Sequence, residues 1–221
     1  MKASDIEALY ARLAAANPEP RTELSYGNVY QLLVAVTLSA QATDTGVNRA
    51  TGPLFARVHT PAQMLALGEA GLREAIKTIG LFNTKARNVI ALSRILVETH
   101  GGEVPATREA LQALPGVGRK TANVVLNIAF GAPTIAVDTH IFRVANRTGL
   151  ARGRTPDAVE ARLERVTPAA YRRHAHHWLI LHGRYVCKAR SPACATCGVR
   201  DLCAFARKPA RARKPVDTGG G

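Results

Sequence analysis

Leu114-Pro115-Gly116-Val117-Gly118-Arg119-Lys120-Thr121 is the stretch on which the reading of this chain turns. A helix predicted from about Thr107 to Ala113 ends there, and another begins near Arg119. Gly116 and Gly118 let the backbone turn tightly and approach another group closely. Their N–H groups, with the N-terminus of the second helix, form a site suited to a phosphate. A Walker loop is a different object, with wider glycine spacing and a closing Gly-Lys-Ser/Thr. A plain turn between two helices would also use Gly-x-Gly, so the glycines alone leave both readings open.

Lys120 falls in the first turn of the second helix. The helix dipole puts partial positive charge there, which favours the neutral amine, and Arg119 pushes the same way. A neutral amine is a nucleophile. A charged lysine at the same place is a phosphate contact, and position alone does not choose between them.

Elsewhere the apolar residues recur with helical period. Val89, Leu92 and Leu96 share one face, as do Val124, Val125 and Ile128. Thr60-Pro61, Thr155-Pro156 and Thr167-Pro168 read as helix starts, because threonine caps the free N–H groups and proline has none to lose. Gly80, Gly101-Gly102 and Gly131 read as stops. Ile135-Ala136-Val137 is too short and partnerless to make a sheet. The expected fold is all-α, with roughly ten helices.

Asp138 opens Val137-Asp138-Thr139-His140 and is placed to cap a helix holding Phe142 and Ala145 inside. A carboxylate near a lysine and a sugar can also stabilise positive charge developing on the ribose. The four cysteines, Cys187, Cys194, Cys197 and Cys203, lie within 17 residues. Clustered cysteines in a reducing compartment indicate a metal site rather than disulfides. Structural zinc usually takes two close pairs, whereas here one close pair is flanked by single cysteines; the spacing favours a four-iron–four-sulfur cluster and leaves zinc open.

The chain carries 30 Lys and Arg against 16 Asp and Glu, net +14. Residues 1–137 are net +3 and residues 138–221 net +11. Such a balance points to a polyanionic partner, nucleic acid before a membrane surface. Neither a signal peptide nor an apolar run of spanning length is expected, and the expected compartment is the cytosol.

Taken together, these motifs resemble the endonuclease III family, within the helix–hairpin–helix superfamily of DNA glycosylases. The resemblance spans about residues 5–205. It includes Leu38-Ser39-Ala40-Gln41-Ala42-Thr43-Asp44, Thr78-Ile79-Gly80-Leu81, the 114–121 hairpin, Thr134 to Arg143, His177 to Tyr185 and the four cysteines. It implies a two-lobed fold: a six-helix domain over 22–132, an iron–sulfur domain from 1–21 with 133–207, and a flexible basic tail over 208–221. DNA would lie between the lobes. It implies Lys120 as nucleophile, Asp138 as catalytic carboxylate, and Gln41, Leu81, Leu114, Gly116, Gly118 and His140 as DNA-contacting residues, with Gln41 and Leu81 filling the gap left by a flipped base. The cysteines would hold a 4Fe–4S cluster. The implied activity is excision of oxidised pyrimidines from duplex DNA, followed by β-elimination 3′ to the abasic site. A monomer acting on the nucleoid in a bacterial cytoplasm is implied as well.

The chain departs from the family pattern at Gln112, where an acidic residue is expected; a lost carboxylate there would alter turnover or substrate range. Two rival readings stand beside this one. The adenine mismatch glycosylases of the superfamily generally lack the lysine and place an acidic residue before the Gln41 region, and residues 32–43 contain no Asp or Glu. A non-catalytic DNA-binding module would leave Lys120 and Asp138 idle. The charge makes a direct prediction. Affinity for duplex DNA should fall steeply and log-linearly with salt as counterions are released; a flat response in a binding titration would contradict it.

Overall fold

A computed structural model of the chain describes residues 1–207. The tail expected over 208–221 lies outside the described residues. Ten α-helices and no strand occur among the described residues. They fall into two compact units, Thr22–Ala132 and the N-terminal Met1–Arg21 joined with the chain from Pro133 onward.

The Thr22–Ala132 unit holds six helices: α2 (Val29–Leu38), α3 (Asp44–Phe55), α4 (Pro61–Ala75), α5 (Phe82–His100), α6 (Arg108–Gln112) and α7 (Arg119–Phe130). Helix α2 is apolar on every side, and Tyr30 through Leu38 are all buried. A helix with no polar face belongs at the centre, and α2 packs on α3, α5 and α7. Its one long polar side chain, Gln31, spends its amide on the carbonyls of Phe55 and Val58, each at 2.9 Å. Those are orphan acceptors at and beyond the end of α3.

Thr60-Pro61 starts α4 with a complete capping box from Gln63, and Thr155-Pro156 starts a helix too. Thr167-Pro168 starts a helix as well, but through a 3-10 first turn, Ala169–Tyr171, that runs straight into Arg172, and the Thr167 hydroxyl pairs with the Tyr10 hydroxyl at 2.9 Å rather than capping. Gly101 and Gly131 end α5 and α7 in left-handed conformation. Gly80 is no helix cap, because α4 has already stopped at Ala75; a kink at Gly68 (φ 73°) inside α4 had no clear signal.

The other unit packs α1 (Ala3–Ala16), α8 (Thr139–Thr148), α9 (Pro156–Val166) and α10 (Arg172–Leu181) around Leu9, Tyr10, Ile141, Val144, Leu163 and Leu179. Ile135-Ala136-Val137 is buried and has no regular secondary structure. Helix α10 runs directly into a π-helical turn, His182–Val186. Trp178 ties α10 to the end of α1 through its indole N–H and the Asn17 carbonyl, 2.8 Å away.

Candidate functional site

The turn between α6 and α7 is set by one residue. Gly116 has φ +79°, a region that costs other L-residues energy. A Cβ there would also lie 2.9 Å from Asn88 Nδ2 on α5. Gly118 differs: its φ is −86°, its backbone is extended, and a Cβ would meet open space. What Gly118 contributes is the absence of a capping side chain. It is the N-cap of α7 and has no side chain with which to accept from the first turn. A helix start without such a cap is suited to an anion. Arg119 and Lys120 follow, both exposed.

Leu114 is 2% exposed, so its side chain belongs to the core and only its backbone is offered to a ligand. Its carbonyl is already used by the Val117 N–H at 3.1 Å. Gln112 ends α6 on the surface. Gln41 and Leu81 behave alike. Both have left-handed backbones, φ 54° and 60°, and both are exposed, Leu81 by 61%. A core role for Leu81, the plain alternative, does not survive that exposure. Holding a leucine there costs about 1–2 kcal/mol, which two protruding tips sustain only where the surrounding fold dictates them.

Asp138 and His140 belong to the other unit. Asp138 caps α8, its Oδ1 accepting from the Ile141 N–H at 2.8 Å. His140 lies against Gly183, where an added Cβ would stand 2.9 Å from the His140 Cβ. Burial pushes the His140 imidazole below its usual range; Asp138 opposes that shift, while Arg143 and Arg184 add to it. Lys120 and Asp138 thus sit on different units.

The four cysteines come together. All are free thiols, and all line one partly open cavity with Val186, Pro192, Ala193 and Val199. No three His, Cys, Asp or Glu side chains among the described residues converge tightly enough for a single ion. Four thiols lining one cavity supply the donor set of a polynuclear iron–sulfur group. Two arginines that the sequence reading passed over hold this loop. Arg143 donates to the carbonyls of Cys187 at 2.9 Å and Gly183 at 2.8 Å. Arg147 reaches the carbonyls of Lys188 and Ala189 at 2.7 and 2.9 Å. Their signal was present: a pair four apart, on the helical face shared with buried neighbours.

A hairpin with an open helix N-terminus and a four-thiol cavity define the helix–hairpin–helix class of base excision DNA repair proteins. Residues 34–169 match the HhH-GPD superfamily of such proteins, and residues 187–203 match the iron–sulfur binding domain of endonuclease III. Endonuclease III of Escherichia coli K12 is 58% identical over 207 residues, covering 94% of this chain and 98% of that one. The Haemophilus influenzae enzyme is likewise 58% identical over 207 residues, with the same coverage. A solved non-covalent endonuclease III–DNA complex superposes with a TM-score of 0.88 at 42% identity, covering 97% of this chain and all of that one. A trapped endonuclease III–DNA covalent intermediate gives 0.86 at 42% identity, covering 92% and 96%.

The chain belongs to the endonuclease III family. It is a DNA glycosylase and abasic-site lyase of base excision repair, and its cofactor is a 4Fe–4S cluster. No helix among the described residues is long and apolar enough to cross a membrane.

The cap supplied by Asp138 can be read by substitution. Asp138→Ala should cost about 1 kcal/mol in urea unfolding through loss of the α8 cap, whereas Asp138→Asn, which caps equally well, should cost little. Equal losses in both variants would contradict the cap.

Proposed function

We propose that the chain removes oxidised or ring-saturated pyrimidines from duplex DNA and cuts the strand 3′ to the resulting abasic site, with Lys120 as nucleophile and Asp138 as the supporting carboxylate. The observation that carries this reading is the exposed amine of Lys120 in an uncapped helix turn directly after the Gly116 hairpin. A phosphate docked at that helix start would fix the register of the strand beside Lys120.

The target nucleotide leaves the stack. Gln41 and Leu81, exposed on strained backbones, are suited to fill the space it vacates. Lys120 Nζ, in its neutral form, attacks C1′. The C1′–N glycosidic bond breaks, and the base departs with its bonding electrons and a proton. Asp138 stabilises positive charge on the ribose as that bond lengthens. The amine lone pair then opens the sugar ring to a Schiff base. Loss of a C2′ proton expels the 3′ oxygen with its phosphate, and water later releases Lys120. Each step uses groups the chain itself carries, with water and the DNA.

Cys187, Cys194, Cys197 and Cys203 are the proposed thiolate ligands of the cluster. It would brace the loop carrying Lys188 and Arg190, two cations suited to phosphate. The proposed working form is a monomer in a bacterial cytoplasm, associated with the nucleoid. Base removal without a lyase step, as in the adenine mismatch branch, finds no support in a chain that retains this lysine.

Lys120→Gln should abolish strand cleavage and borohydride trapping on duplexes carrying a single oxidised pyrimidine. Asp138→Asn should slow base release by about 10²-fold or more while DNA affinity holds. Persistent trapping without Lys120, or an unchanged rate without the Asp138 charge, would overturn these roles.

A further inference from the structure

Arg147 lies nine residues after Asp138, near the far end of α8, and is 4% exposed. Its Nη1 stands 3.7 Å from Cys187 Sγ while donating to the Lys188 carbonyl. Its guanidinium lies over the Phe205 ring, 4.9 Å from the centroid. Its own carbonyl accepts from the Phe205 N–H at 2.9 Å and from Cys203 Sγ at 3.7 Å. One residue therefore grips the chain at both ends of the cysteine loop, beside Cys187 and beside Cys203.

The charge balance is the telling part. None of these partners is a carboxylate, and Arg147 Nε is buried with no hydrogen-bond partner. A buried cation held by carbonyls, a sulfur and a ring face carries a large uncompensated desolvation cost. Carbonyls alone could be satisfied by a neutral donor at less cost. A cluster ligated by four thiolates bears net negative charge, and the nearest sulfur is already within reach of Nη1. Arg143 on the previous turn differs, since its bonds run to carbonyls and to His140 Nδ1, none to sulfur.

We propose that Arg147 is the counter-charge of the cluster, setting its reduction potential and clamping both ends of the cysteine loop to α8. This rests on the reading of the cysteines as ligands. Reduction adds an electron to an already anionic group, so a fixed cation and an N–H donor beside a ligand sulfur both favour the reduced form. Removing them lowers the potential. Because the fork spans two consecutive carbonyls, a lysine can replace the charge but not the clamp.

The test compares the purified, iron-loaded parent with R147M and R147K, without DNA, by redox titration, iron per chain and rate of iron loss to a chelator. The expected result is a potential shifted to more negative values in R147M. R147K should stay near the parent potential yet lose iron several-fold faster. An R147M protein that keeps its iron at the parent potential overturns the proposal. Should R147M hold no iron, R147K decides, and a rate of iron loss equal to the parent's overturns it. A parent without iron would overturn the ligand assignment itself, which distinguishes the two failures.

Discussion

The left-handed backbone of Gly116, wedged against Asn88, governs the turn on which the hairpin end of the six-helix unit depends. It reverses the chain between α6 and α7, and Gly118, two residues on, is an N-cap with no side chain to cap the second helix. The two residues that open that helix, Arg119 and Lys120, are exposed. The proposed phosphate site and the proposed nucleophile thus share one turn. Buried Leu114 and Val117 anchor the turn from beneath, so its exposed atoms are almost all backbone. Such a surface suits a ligand recognised by its phosphates rather than by its bases.

Helix α8 plays the matching part in the other unit. Asp138 closes its first turn, and Arg143 and Arg147 bind the cysteine loop along its length. Buried arginines are costly unless something negative answers them. Their presence explains why a loop of small and polar residues, Lys188 to Ala195, can be held without a core of its own. The loop is fastened to a helix by arginine–carbonyl hydrogen bonds and, in the proposed assignment, to the cluster by thiolates.

Much of this was legible in the sequence, and the limits have physical causes. Helical period and threonine caps announced α4, α5, α7 and α9, because those signals are local. The family resemblance supplied the glycosylase and lyase activity and the cluster, which the relatives support. Gly118 was read as a second conformational hinge, yet its φ is ordinary; only backbone angles separate the two glycines. Thr167-Pro168 carried a start signal, but the threonine hydroxyl was claimed by Tyr10 from the far end of the chain. The exposed strain of Gln41 and Leu81 and the burial of Arg147 were invisible for the same reason. Each is set by contacts distant in sequence, and a buried arginine looks like any surface one until its neighbours are placed.

The central claim is that one amine, that of Lys120, forms the bond to the sugar. Mass-spectrometric mapping of the borohydride-reduced enzyme–DNA adduct locates that bond directly. The expected result is a single modified peptide with the sugar remnant on Lys120. A remnant on Lys85, on the amino terminus or on any other amine would contradict it.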